Sequence, residues 1–152
     1  MFALEGSLYG LRLWSVDRVV PAAMITPLPK APAIVMGIIR IGGMIVPVVN
    51  LRRRFHLPER DLMLTDQLIV ARAPRRGKEG YRTLALVVDS VEGVRELPGG
   101  AMTPAPRILA GLEYLEGVAR TDDGMILIHD LGTFLSLEED DALGAALDGG
   151  PA

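Results

Sequence analysis

Apolar and polar positions change period several times along this chain, and each change marks an element. Residues 2–4 and 8–20 read as strands joined at Glu5-Gly6-Ser7, with Tyr9, Leu11, Leu13 and Val16 alternating against small or polar residues. Pro21, Pro27, Pro29 and Pro32 then exclude a helix and predict an extended crossing segment. Two apolar runs, 38–41 and 44–49, flank Gly42-Gly43, a hairpin-turn signal. Asn50 follows where its side-chain oxygen can cap a short helix over 51–55. Residues 57–66 are a polar connector, and 67–72 and 81–88 read as a hairpin. The loop between its strands, 74–80, carries Arg75, Arg76 and Lys78, expected to be simply solvated. A strand continues over 88–97 with a bulge at Gly93. A second Pro-rich crossing covers 98–106, a helical turn falls within 108–115, and an amphipathic helix spans 136–147. That helix turns Leu137, Leu143 and Leu147 inward and Glu138, Glu139, Asp140 and Asp141 outward, and residues 148–152 fray.

The same plan is laid down twice. Residues 37–55 and 117–135 share a leading Gly, an Arg, a polar turn, Gly-Met-Ile, an apolar run, Asn or Asp, then Leu. Upstream, Ser15-Val16-Asp17-Arg18-Val19 matches Ser90-Val91-Glu92-Gly93-Val94, and Thr26-Pro27-Leu28-Pro29 matches Thr103-Pro104-Ala105-Pro106. The matched blocks keep their order at an offset of roughly 75–81 residues, too long for a solenoid unit and the mark of a duplicated domain half. The expected fold is mainly β: two small tandem barrels of short strands with a minor helical part. It forms a single domain over 1–147, with modules at about 10–60 and 66–135 that share strands, closed by the helix at 136–147.

Composition narrows the function. With 152 residues and 49% hydrophobic positions the chain can bury a sizeable core, and disorder is excluded. A net charge of −3 argues against nucleic acid, which needs clustered Lys and Arg. Cysteine is absent, so there is neither a disulfide framework nor a thiolate metal site, which suits the cytoplasm. Met1-Phe2 leads into the first strand without a basic leader, and no apolar run approaches the length of a membrane span.

Catalytic chemistry is hard to find. His56 and His129 sit after the repeated strand of each module, where a structural role is the simpler reading. No nucleophile elbow or phosphate loop occurs. Asp122-Asp123-Gly124 is explained by a hairpin turn and the acids at 138–141 by a solvated helix face, so neither is taken as a metal site. Asp89 and Glu92 make no convincing acid–base pair, since a bulge at Gly93 blurs their relative facing. No cofactor and no metal are expected, and the chain is expected not to be an enzyme. A duplicated β module with this profile suits protein docking at grooves and sheet edges.

At this point the residues resemble a family. Tyr9-Gly10, Gly37-Ile38, Gly43-Met44-Ile45-Val46-Pro47-Val48-Val49-Asn50-Leu51-Arg52, Leu86-Val87-Val88-Asp89-Ser90-Val91, Pro104-Ala105-Pro106, Tyr114-Leu115-Glu116-Gly117-Val118 and Met125-Ile126-Leu127-Ile128-His129-Asp130-Leu131 follow in the order of the CheW family of chemotaxis coupling proteins. The resemblance covers essentially the whole chain. It implies two five-stranded SH3-like β-barrels and a non-catalytic, cytoplasmic adaptor recruited to membrane-bound receptor arrays. It also implies two partners: the cytoplasmic tip of a chemoreceptor, lying in a groove between the barrels, and the regulatory domain of a CheA-like histidine kinase, packed barrel end to barrel end.

Val16, Arg18, Ile39, Arg40, Gly43, Val46, Arg52 and Arg54 are the candidate receptor contacts, and Glu92, Arg95 and Arg120 the candidate kinase contacts. Val16, Val19, Ile39 and Val46 also fit a barrel core, although whichever of them face the sister barrel would line the receptor groove, and Gly43 fits a turn. Arg40, Arg52, Arg53 and Arg54 lack acidic partners at helical spacing, although Glu59 and Asp61 are close enough in sequence to neutralise some of them. The chain departs from the family pattern at Gly42, where an arginine is expected and Arg40 stands nearby, at Asn50 in place of Asp, and at Arg18 in place of a common Glu. These changes imply a divergent member with its own partners, in a chemotaxis-like, gliding or pilus-motility pathway. A kinase regulatory domain standing without its kinase is a variant of this reading. The competing class, a small β-barrel enzyme or ligand-binding regulator, predicts a deep polar pocket with converging titratable groups.

Overall fold

A computed structural model describes residues 1–104 and 114–149. The chain folds into two sheets that exchange hairpins. The first sheet contains β3 (Val16–Pro21), β4 (Val35–Ile41), β5 (Met44–Val49), β6 (Gln67–Pro74) and β7 (Tyr81–Val88), in the order β3-β6-β7-β5-β4. The second contains β1 (Phe2–Leu4), β2 (Ser7–Gly10), β8 (Ser90–Val91), β9 (Met102–Pro104), β10 (Leu115–Thr121) and β11 (Gly124–His129), in the order β8-β1-β2-β11-β10-β9. Thr26 bridges Ile38 beside β4, as β9 pairs with β10, so the two sheets have matching plans. In each, the second strand of the repeated hairpin runs parallel to a strand of the other hairpin: β5 with β7, and β11 with β2.

The repeated segment adopts the expected strand–turn–strand–cap in both halves. Gly42 and Gly43 both take positive φ, +55° and +80°, as a tight two-residue hairpin turn requires. Asn50 caps α1 (Leu51–Arg54) by accepting from the Arg53 backbone N–H at 3.1 Å. Asp130 does the same for the 3-10 turn Leu131–Thr133, accepting from Gly132 N–H at 3.0 Å. Each hairpin carries an irregularity at its leading glycine, between Val35 and Gly37 and between Leu115 and Gly117. There the crossing segment comes very close. A Cβ on Gly37 would lie 2.3 Å from the Thr26 carbonyl oxygen, and one on Gly117 would lie 2.7 Å from that of Thr103. Both glycines exist to let a backbone through.

Other expectations change. The strand read over 8–20 is broken: β2 ends at Gly10, a 3-10 turn occupies Leu13–Ser15, and β3 starts at Val16 in the other sheet. Leu13 is therefore exposed, since the alternation it was read from spans a change of sheet. The strand read over 88–97 shortens to β8, because Gly93 at φ +116° turns the chain away and no strand follows until Met102. Of the helical turn expected within 108–115, residues 108–113 lie outside the described residues, as do 150–152 of the tail.

The C-terminal helix forms as α2 (Leu137–Asp148), with a full capping box between Ser136 and Glu139. Leu143 is buried and Leu147 partly buried, but Leu137 is 42% exposed. Its acidic face is not simply solvated. Asp140 is buried and accepts from Arg82 at 2.7 Å and Arg75 at 2.9 Å, with Lys78 at 3.6 Å. The β6–β7 loop is thus an anchor for α2, a pairing about 60 residues apart in sequence that helix periodicity does not register.

One core spans both sheets. Phe2, Leu4 and Tyr9 from the second pack with Val49, Leu84 and Leu86 from the first and with Phe134 and Leu143 near the C-terminus. An aromatic stack runs through it: Phe2 on Tyr9 at 5.6 Å, Tyr9 on Phe55 at 5.4 Å, Phe55 on His129 at 4.3 Å. Phe134 meets Phe55 edge-on at 5.7 Å. His129 is therefore structural, with Nδ1 3.1 Å from the Tyr114 carbonyl oxygen, and burial lowers its pKa to about 4.

Gly37→Ala should cost about 2 kcal/mol or more, whereas Gly42→Ala, where an added Cβ meets nothing, should cost only the positive-φ penalty of about 1 kcal/mol. Urea denaturation of the two variants measures the difference, and equal costs would refute the close-approach reading. The buried His129 makes stability fall with acid. Its folded pKa is depressed, so its contribution is complete above the unfolded value of 6.5 and is lost as pH falls toward about 4, by roughly 3 kcal/mol in all. His129→Phe should flatten the stability profile across that window.

Candidate functional site

The free edges of the two sheets face a common groove. β3 is an edge of the first sheet and β8 an edge of the second, and the two carry the matched Ser-Val segments of the repeat. Between them runs a groove of about 490 Å³. Val16, Val19 and Ile69 line it from the first sheet, and Phe2, Val91 and Ile128 from the second. Leu13 and Trp14 also line it while staying 60% and 66% exposed, a large apolar surface left open by the fold. A second hollow, about 810 Å³, opens beside β3 and β4 and is lined by Val20, Met24, Ile39, Arg40, Ile41 and Ile45. Met24 there is 90% exposed, Ile45 50%, and neighbouring Met44 48%.

The expected receptor contacts fall in different places. Val16 lines the groove, half-buried, and Arg18 on the same strand is exposed, 3.3 Å from Asp17. Ile39 and Val46 form the inner core of the first sheet with Val48, Leu68 and Ala85, and Gly43 sits in an exposed turn. Arg40 is exposed at the second hollow. Arg52 and Arg54 are engaged inside the protein.

Arg52 is buried and bonds Asp89 at 2.7 Å, the Pro58 carbonyl oxygen at 3.0 Å, and Glu5. Arg60 joins the same network, holding the buried Asp66 through two hydrogen bonds of 2.7 and 2.8 Å and Asp89 at 2.7 Å. The connector over 57–66 is thus pinned by charge. The hydrogen bond from Arg60 keeps the Asp66 carboxyl below its usual range against the opposing effect of burial. Burial pushes Asp89 up, but the hydrogen bonds from Arg52 and the Glu5 N–H outweigh it, so its pKa is also lowered. Arg54 donates to the Tyr114 hydroxyl at 3.0 Å and to Glu139 at 2.6 Å, tying α1 to α2. Arg53 bonds Glu59 at 3.0 Å, as its neighbourhood in sequence suggested. The carboxylate partners of Arg52 and Arg54, Glu5, Asp89 and Glu139, lie far away in sequence, so spacing along α1 could not reveal them.

Of the expected kinase contacts, Glu92 and Arg120 are exposed, the latter on β10 opposite Met125. Arg95 lines the inter-sheet groove instead and pairs with Asp123 of the β10–β11 turn. Leu13, Trp14, Val94 and Arg12 were not expected as contacts from the sequence, yet all line the groove, as does Val19, for which core and groove lining were both open. The one available signal was Trp14, the chain's sole tryptophan, masked by reading residues 8–20 as one strand. Among the described residues, no three His, Asp or Glu side chains converge as a metal cluster, and no helix is long and apolar enough to cross a membrane.

Comparison with known proteins gives a consistent picture. The family model for the CheW-like domain matches residues 1–139. A crystal structure of the scaffolding protein CheW from Thermoanaerobacter tengcongensis superposes with a TM-score of 0.77, at 31% identity and covering 91% of each chain. The chemotaxis protein CheW of Treponema pallidum is 28% identical over 140 residues, covering 91% of this chain and 81% of its own. The FrzA protein of Myxococcus xanthus is 31% identical over 118 residues, covering 76% of this chain and 69% of its own.

Arg52→Ala should lower stability by about 2–3 kcal/mol, because it leaves Asp89 and Glu5 without their shared cation. Thermal and urea unfolding check this. A variant as stable as the parent would show that the network is dispensable.

Proposed function

The chain belongs to the CheW-like family, and from that membership we propose that it couples methyl-accepting chemoreceptors to a CheA-like histidine kinase in a chemotaxis or chemotaxis-like motility pathway. It is a non-catalytic chemotaxis scaffold, as the family and its scaffolding neighbour indicate. The observation that supports the finer reading is the apolar groove between the two sheets. A receptor helix hairpin needs a long apolar trough with a few large side chains to anchor it. Val16, Val19, Leu13 and Trp14 supply that trough from one side of the exchange and Val91 and Ile128 from the other. Among the described residues, its lining holds no cluster of converging titratable groups of the kind an enzyme pocket would need. The second hollow, with exposed Met24, Met44 and Ile45 at one end of the first sheet, suits the kinase domain packing end to end. Association with membrane-bound receptor arrays follows from the same reading.

Two sets of variants separate the surfaces. Trp14→Ala and Val19→Asp should weaken binding of the receptor's cytoplasmic fragment about tenfold or more, the effect of losing an interface anchor, while leaving the kinase regulatory domain bound. Ile45→Glu with Met24→Glu should do the reverse. Co-sedimentation with the purified receptor fragment and kinase from the source organism reads both, with circular dichroism confirming that each variant is folded. Failure of the unmodified protein to bind either partner would overturn the adaptor reading, and loss of both partners by every folded variant would overturn the two-surface assignment.

A further inference from the structure

We infer that the groove selects its helix by charge: the docking segment carries carboxylates beside its apolar face, and Arg12 and Arg95 read them. This rests on the groove being the helix-docking site proposed above. Among the described residues, Arg12 and Arg95 are the charged side chains in the groove lining, and no carboxylate lines it. The chain as a whole carries a net charge of −3, yet the charged side chains turned to this groove are cations.

Each arginine is held from outside the groove. Arg12 donates to Glu116 on β10 through Nε at 2.9 Å and through Nη2, and Arg95 pairs through Nη2 with Asp123 in the β10–β11 turn. Neither Glu116 nor Asp123 lines the groove. Both pairs stand in water, with side-chain exposures of 48% and 30% for Arg12 and Glu116 and 34% and 41% for Arg95 and Asp123. Such pairs contribute little to folding. What they do is orient two guanidinium forks. Nη1 of Arg12 has no hydrogen-bond partner among the described residues, so donors remain for an incoming acid. A pre-oriented arginine gives up less rotamer freedom when it binds a carboxylate, and the bond formed is charge-assisted. A helix flanked by lysines would bring like charges together over an apolar floor and be rejected. Glu92 and Glu96 are exposed neighbours of groove residues and do not line the groove, and the Glu92 carboxylate acts on the Met1 amino group rather than on Arg12 or Arg95.

The test uses two synthetic helical hairpins with identical Leu and Ile faces, one flanked by Glu and the other by Lys. Each is titrated into the full chain, and Trp14 fluorescence is followed, since this single tryptophan lines the groove. The Glu-flanked hairpin should bind at least tenfold more tightly, with the advantage shrinking as salt rises from about 0.05 M to about 0.5 M. Arg12→Glu combined with Arg95→Glu should reverse the preference, and Arg12→Lys with Arg95→Lys should keep its sign. Should the double Glu variant lose its fold by circular dichroism, Arg12→Gln with Arg95→Gln takes its place and should abolish the preference. Equal affinities, or tighter binding of the Lys-flanked hairpin, would overturn the charge rule while leaving helix docking intact. No change in Trp14 with either hairpin would overturn the charge rule together with the docking reading.

Discussion

The structure depends on one shared core. Because β1–β2 joins the second sheet and β6–β7 the first, neither repeat can close its own sheet without a hairpin from elsewhere in the chain. Phe2, Tyr9, Phe55, His129 and Phe134 meet where the two halves cross, and the stack they form is buried by both. Burial on this scale is what makes small β modules stable, since each alone would leave much of its apolar surface in water. It also fixes the relative position of β3 and β8, and therefore the groove between them.

Electrostatics divides by depth. Arg52, Asp66 and Asp140 are buried and paired: Arg52 reaches Glu5 in the β1–β2 turn, Asp66 holds Arg60 within the connector, and Asp140 ties α2 to Arg82 on β7. A buried charge is costly unless paired, so these contacts specify which elements meet more than they add net stability. Arg12 with Glu116 and Arg95 with Asp123 lie in water, where an ion pair is weak and exchangeable. The protein thus keeps its fully paired charges inside and leaves Arg12 and Arg95 part-exposed in the groove lining.

Duplication explains the placement of the site. The close approaches at Gly37 and Gly117, the caps at Asn50 and Asp130, and the edge strands β3 and β8 are equivalent pairs. Two equivalent edges left open toward each other make a trough lined by both halves. The matched valines are kept in both walls of that trough, Val16 with Val91 and Val19 with Val94, and the walls differ beyond them, with Leu13 and Trp14 on one side and Arg95 on the other. Two different walls are what a defined orientation of a docked helix would require.

Local chemistry made much of this legible in the sequence. The Gly42-Gly43 turn, the caps at Asn50 and Ser136, the leading glycines and the internal repeat are set by dihedral preferences and hydrogen-bond valence within a few residues. Those rules act before any tertiary contact forms. The break at residues 11–15, the inward turn of Asp140, and the internal use of Arg52 and Arg54 were decided by distant partners: the other sheet, the β6–β7 loop, Asp89 and Glu139. No spacing along the chain encodes those pairings, because they come from strands and helices that meet only when the hairpins exchange. The sequence by itself thus determined the elements and their duplication. The tertiary structure decided which charges are buried and which apolar residues are left facing a partner, since both depend on which sheet edge ends next to which.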